Sequence, residues 1–109
     1  MNEWVDAPAC TLPTVERPVR QAEFDAIFRD TELVESPGAL ETRLHLRRDA
    51  DVVGRVATLA AKETGCCSFF SFGLRITSTD AVLTVTVEAG HEDVLRAFAE
   101  RAQRERRAA

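Results

Sequence analysis

Apolar and polar residues alternate in three segments of the chain, and this period of two is typical of half-buried β-strands. The segments begin near Leu40, Phe70 and Leu83. In each segment every second side chain is apolar, so the predicted sheet has one apolar and one polar face. The polar face carries Arg43, His45, Arg75, Thr84 and Thr86.

Between the first two predicted strands, and again after the third, the apolar residues recur with the period of an α-helix. Asp49 is placed to cap the first helix, in which Val52, Val56 and Leu59 form a narrow apolar stripe. Gly65 is predicted to end that helix. The stripe of the final helix consists of Val94, Leu95, Phe98 and Ala102.

The first third of the chain has a different pattern. Residues 1–18 contain three of the four prolines and predict an extended arm. Residues 19–31 predict a helix, with Phe24, Ile27 and Phe28 on one side. Residues 36–38, Ser-Pro-Gly, predict a turn.

The order of elements over residues 39–105 is therefore strand, helix, strand, strand, helix. The helical connection lets the first two strands lie parallel through a right-handed crossover, and the last two should form an antiparallel hairpin. Both helices must bury their stripes on the one apolar face of the sheet. The sequence thus predicts a single α+β domain over residues 1–109, a two-layer sandwich that resembles a truncated ferredoxin-like unit.

Charge and composition exclude several classes of protein. The chain has 14 basic and 18 acidic residues, a net charge of -4, which disfavours a nucleic-acid-binding surface. No stretch approaches the roughly 20 apolar residues that span a bilayer, and the opening lacks the pattern of a secretory signal. We therefore expect a cytoplasmic protein. The polar sheet face must be solvated, covered by the N-terminal segment, or paired with a second copy in a homodimer.

Three cysteines are the residues most suggestive of chemistry. Cys10, Cys66 and Cys67 are an odd number without repeated spacing, so in a reducing compartment we expect thiols rather than a disulfide framework. Glu63 falls within the apolar stripe of the first helix, three and four residues before the adjacent pair. If the last turn stays helical, both thiols lie near this carboxylate. If the helix frays instead, Glu63 reaches water.

Two adjacent thiols can close on one soft ion, because thiolates favour Hg, Cu(I), Zn or As(III) over hard cations. A closed site needs further ligands, and Cys10 is the obvious third. The negative end of the helix dipole disfavours thiolates at Cys66 and Cys67, whereas a bound metal ion would deprotonate them. The alternative is that the cysteines only pack, since cysteine often acts as a small hydrophobe.

The segments ACTLPTVERPVRQAEFDAIF and KETGCCSFFSFGL resemble a family of small bacterial proteins. Its pattern is an N-terminal C-T-L-P followed by E-R-P, and then E-x-x-C-C-x-F-F-x-F. The resemblance covers most of the chain and implies a link to heavy-metal-responsive regulators and to mercury or arsenic resistance. The positions that match the motifs are Cys10, Glu63, Cys66 and Cys67.

Three functions are compatible with these residues. The first is binding of a soft heavy-metal or metalloid ion, of the mercury type, by Cys10, Cys66 and Cys67, with Glu63 as a base or proton shuttle. The second is an enzyme, an organomercurial lyase or arsenical reductase, that uses Cys66 and Cys67 with Glu63. The third is a dimerising interaction module in which the cysteines are structural or redox-sensitive.

Overall fold

A computed structural model of the chain describes residues 14–108, and the side chains of residues 15–107. The first described element is a short 3-10 helix, Thr14–Glu16. Seven longer elements follow: α1 (Arg17–Arg29), β1 (Thr31–Gly38), β2 (Glu41–Leu46), α2 (Ala50–Cys66), β3 (Phe70–Ile76), β4 (Ala81–Val87) and α3 (Glu92–Ala108). Helix α1 begins two residues before the predicted start, and Pro18 lies in its first turn, where its missing N–H group would have no partner within the helix.

The four strands form one antiparallel sheet in the order β1-β2-β4-β3. Strand β4 pairs with β2 on one side and with β3 on the other, and Leu83 lies opposite both Leu44 and Leu74. Because β2 and β3 both run antiparallel to β4, they are parallel to each other. The predicted parallel direction of β2 and β3, the hairpin and the α+β sandwich are thus confirmed, and the strand order is compatible with a ferredoxin-like fold.

Strand β1 is the element that the sequence pattern did not predict. Residues 36–38, predicted as a turn, belong to β1, and the chain reverses at residues 39–40 instead. The strand lies at the sheet edge beside β2, where the missing last strand of the ferredoxin-like unit would lie. Pro37 is tolerated there because an edge strand does not need every N–H group. Since most side chains of β1 are exposed, no apolar alternation marks it in the sequence.

The core lies between the apolar face of the sheet and the helices. Helix α3 packs on β1, β2 and β4, helix α2 packs on β3, and α1 packs against both helices. At the centre, the ring of Phe98 lies 5.6 Å from that of Phe24, 5.2 Å from Phe28 and 5.8 Å from Phe70. All four of these side chains are buried. This aromatic cluster joins α1, α3 and the sheet.

Charged residues join α1 and α3 along their length. The guanidinium of Arg101 donates two hydrogen bonds to the Asp25 carboxylate, at 3.0 and 2.8 Å. Near the ends of both helices, Arg29 donates to Glu105 at 2.6 Å. Both pairs have the same sequence separation, so α1 and α3 run side by side in parallel. These pairs set the position of α1, and with it that of the residues near its start.

The opposite face of the sheet carries polar side chains, as the alternation predicted. Arg43 and Arg75 are exposed, and the side chain of His45 on β2 contacts Glu35 on β1. None of the helices in residues 14–108 combines the length and the apolar character that crossing a membrane requires.

Candidate thiol site at the end of helix α2

Helix α2 places Glu63 and Cys66 close together because its last turn stays helical. Asp49 caps its start, accepting hydrogen bonds from the N–H groups of Asp51 and Val52. At the other end the N–H of Cys67 donates to the carbonyl of Glu63 at 2.7 Å. The predicted stop at Gly65 is wrong, since the helix continues to Cys66. Without a left-handed residue at position 65, nothing interrupts the ladder of hydrogen bonds before the cysteines.

Glu63 is completely buried, with 0% of its surface exposed. One of its carboxylate oxygens accepts a hydrogen bond of 2.6 Å from the guanidinium of Arg20 on α1. The alternative in which the helix frays and Glu63 reaches water is therefore wrong. A buried carboxylate needs a partner of opposite charge, and Arg20 supplies it across the contact between α1 and α2.

Arg20 is itself only 8% exposed, and it interacts with both Glu63 and Cys66. Burial acts to lower the pKa of this guanidinium, but the hydrogen bonds and charges of Glu63 and Cys66 outweigh burial and raise it. Arg20 therefore stays charged at any physiological pH. Its side chain holds a positive charge between the buried carboxylate and the first of the two sulfurs.

Arg20 was not among the residues predicted from the sequence to form the site. A signal was present, because Arg20, Phe24 and Ile27 have the spacing of one helix face, and all three are buried. An arginine on the apolar face of one helix and a glutamate on the apolar face of another form a natural pair. Which two helices meet, however, is not encoded in the local pattern.

A small, charged depression of about 350 Å³ lies beside Arg20, between the start of α1 and the end of α2. Glu23 lies on its rim, 3.9 Å from Arg20 and 3.7 Å from Lys62. Its remaining lining residues are Glu16 and Val19. The rim charges compensate one another, so the depression adds no strong field of one sign to the site.

The two adjacent cysteines differ in state and in burial. Cys66 retains its thiol and is partly exposed. Cys67 is completely buried and its sulfur forms a disulfide, whose partner lies outside the described residues. The expectation of thiols at all three cysteines is therefore wrong at Cys67. Cys10, predicted as the third ligand, also lies outside the described residues.

Within residues 14–108, no three His, Cys, Asp or Glu side chains are grouped so that they could hold a metal ion. The described part of the site thus offers the sulfurs of Cys66 and Cys67 and the carboxylate of Glu63, which is committed to Arg20. A closed thiol site needs at least one ligand from elsewhere. The roles predicted for Glu63 and for the three cysteines stay predictions.

The chain after Cys67 turns directly into the core. The N–H of Phe70 donates to the carbonyl of Cys67 at 3.1 Å, which closes the turn into β3. Phe69 is buried, and its ring stacks on His91 with centroids 4.4 Å apart. The sequence did not reveal this pair, because it joins the start of β3 to the segment before α3. The turn anchors the backbone of Cys67.

Comparison with known proteins identifies no relative. No family model, curated protein or solved structure matches the chain. The function is therefore inferred from the residues at the end of α2.

Proposed function

We propose that the protein binds a soft heavy-metal or metalloid ion through cysteine thiols, in sequestration or resistance. The observation that supports this proposal is the meeting of sulfurs at the end of α2. The sulfur of Cys67 is bonded to a second sulfur, and Cys66 presents its thiol from the adjoining residue. Two sulfurs of the described chain therefore lie at adjacent positions at the end of α2. In the reduced protein they are the ligand type that soft ions prefer.

Cys10 completes the proposed ligand set. It is the remaining cysteine of the sequence, and we propose that it supplies the third thiolate of the metal site. Two sulfurs that can form a disulfide can also share one metal ion after reduction, because both arrangements bring them within a few ångströms. Three thiolates would suit Hg(II) or As(III), with Zn or Cu(I) as alternative ions.

Arg20 and Glu63 would act on the site through charge. The buried pair is neutral overall, and Arg20 places its positive charge next to the Cys66 sulfur. A cation in this position would attract the negative charge of thiolate ligands in a metal-loaded site. The carboxylate of Glu63 holds Arg20 in place. In the enzymatic alternative, Glu63 would also have to release Arg20 to move a proton.

Two further parts of the proposal concern the whole molecule. A cytoplasmic location would keep the thiols reduced for most of the time. The polar face of the sheet, with Arg43, His45 and Arg75, would pair with a second copy in a homodimer. Neither part is needed for metal binding by one chain.

Titration of the reduced protein with Hg(II) tests the function. We expect one ion per chain, followed by the ultraviolet charge-transfer absorbance of thiolate–mercury bonds and by native mass spectrometry. Replacing residues behind the ligands of a metal site costs about 10–100-fold in affinity. The double variant Cys66→Ser, Cys67→Ser loses ligands themselves, so its affinity should fall by ~100-fold or more.

A matched control is the variant Ser68→Ala, which changes an exposed side chain next to the pair and should bind as the wild type does. Circular dichroism confirms that each variant is folded. Equal mercury affinity in the double variant and the wild type would refute the proposal.

A further inference from the structure

The outer edge of strand β3 lacks the protective features found at the other edge of the sheet. At that other edge, β1 carries Pro37, two exposed glutamates and irregular pairing with β2. Such features discourage the addition of a further strand. Strand β3, Phe70–Ile76, has no proline, and its pairing with β4 is regular throughout. Within residues 14–108, no strand pairs with its outer side.

The backbone groups that face outward belong to alternate residues of β3. The N–H of Glu88 donates to the carbonyl of Phe69 at 3.3 Å, so residues 71, 73 and 75 direct their N–H and C=O groups toward β4. Phe72, Leu74 and Ile76 direct theirs to the outer side. An unpaired row of this kind is a template for a further strand.

The apolar side chains of the same three residues are incompletely covered. Phe72 and Leu74 are half-buried against the core, and Ile76 is 53% exposed. These side chains lie on the face of the sheet that the helices cover, because residues of equal parity share a face of a strand. Towards the end of β3 the apolar face therefore extends beyond the cover that the helices provide.

Helix α2 continues this surface above the strand. It packs on β3 below and on α1 at one flank, where Lys62 lies 3.7 Å from Glu23. At 100° per residue, Val53, Ala57 and Ala60 lie on the opposite flank. Ala57, near the middle of the helix, is exposed, and the other two are partly exposed. The edge of β3 and this flank of α2 thus form one uncharged, largely apolar surface.

We propose that this surface pairs with the same surface of a second copy of the chain. The two β3 strands then lie antiparallel about a two-fold axis at Gly73, the middle residue of the strand. Phe72 of each copy lies opposite Leu74 of the other, and their outward N–H and C=O groups form hydrogen bonds. The two Gly73 residues form a non-hydrogen-bonded pair, in which the Cα atoms are about 4.5 Å apart.

The polar side chains are complementary in this register. Ser71 lies opposite Arg75 of the second copy, and its hydroxyl can accept a hydrogen bond from that guanidinium. The two Arg75 residues lie on opposite sides of the axis, about 14 Å apart along the strands. This distance exceeds the Debye length of about 8 Å at physiological salt, so they repel only weakly. A second copy fits because one sequence satisfies both sides of a two-fold interface.

Pairing at β3 joins two sheets side by side and leaves their polar faces open to water. It is therefore a different interface from a pairing of the polar faces. Metal binding by one chain does not depend on it, so failure of the pairing would leave the proposed function standing.

Sedimentation velocity of the reduced protein over a range of concentrations tests the pairing. We expect a monomer–dimer equilibrium in the wild type. Gly73→Lys leaves the monomer intact, because a Cβ at this position meets no atom within 4 Å. In the dimer it places two positive charges directly opposite each other, so the dissociation constant should rise ~10-fold or more.

Matched variants place the interface. Gly38→Lys makes the same change at the other edge of the sheet, where an added Cβ is equally free, and should leave the dissociation constant unchanged. Ala57→Lys should weaken the dimer, whereas Thr58→Lys, which faces the groove between α1 and α2, should not. Thr84→Lys lies on the polar face and should also leave the constant unchanged. Circular dichroism confirms that each variant is folded.

Amide hydrogen exchange gives an independent test of the register. Raising the protein concentration should slow exchange at the outward N–H groups of Phe72 and Leu74 and leave the amides of β1 unaffected. A monomer at every concentration would overturn the proposal. A dimer that Gly73→Lys leaves intact, or that Thr84→Lys weakens as strongly, would overturn it as well.

Discussion

Replacing Arg20 by methionine should lower the free energy of unfolding by about 3–5 kcal/mol, because the buried charge of Glu63 then loses its counter-ion. Glu63→Met should cost a similar amount, since it leaves the Arg20 guanidinium beside an apolar side chain. The double variant should be more stable than the sum of the two losses predicts, because it leaves neither charge buried alone. Urea denaturation of the four proteins measures this double-mutant cycle.

The control is an exposed ion pair of similar geometry. Arg43 donates to Glu41 at 2.7 Å on the open face of the sheet, where both side chains are accessible to water. Arg43→Met should therefore cost less than about 1 kcal/mol. If Arg20→Met were no more damaging than Arg43→Met, the Arg20–Glu63 pair would not be the buried link between α1 and α2 that is described above.

Replacing Phe98 by alanine should also cost about 3–5 kcal/mol. Its ring is fully buried and contacts three other phenylalanine rings, from α1 and from β3. Truncation leaves a cavity where α1, α3 and the sheet meet. Since small domains are stable by about 5–15 kcal/mol, this loss is a large share of the total. Thermal and urea denaturation measure it.

Phe72→Ala provides the matched control, because the same atoms are removed from a half-buried position at the edge of the core. Among the described residues the ring of Phe72 has one aromatic neighbour, Phe70, with centroids 5.5 Å apart, whereas the ring of Phe98 has three. Its truncation should cost clearly less than that of Phe98. Equal losses at the two positions would contradict the placement of the core's centre at Phe98.

The predicted and observed folds agree where one face of an element is continuously buried. Every second residue of β4, from Ala81 to Val87, is buried, and the alternation in the sequence shows this directly. Strand β1 has no such signal, because it lies at the edge and exposes most of its side chains. Its pairing with β2 depends on tertiary context rather than on local pattern.

The end of α2 shows the same limit. Gly65 marks a helix end in many proteins, yet here the helix continues to Cys66, because Glu63 and Cys67 are held by tertiary contacts. The position of Glu63 on the apolar stripe did indicate burial. The identity of its partner, Arg20, could not be predicted, because the contact spans 43 residues. The oxidation state of Cys67 likewise depends on a sulfur that the local sequence does not supply.

The central claim is that sulfurs at the end of α2 bind a soft metal ion, and X-ray absorption spectroscopy of the reduced, mercury-loaded protein tests it most directly. Mercury bound at Cys66 and Cys67 should have only sulfur in its first coordination shell, with two or more sulfur neighbours per ion. The Cys66→Ser, Cys67→Ser variant should lose that signal. A spectrum with oxygen or nitrogen neighbours, or with a single sulfur, would contradict the claim.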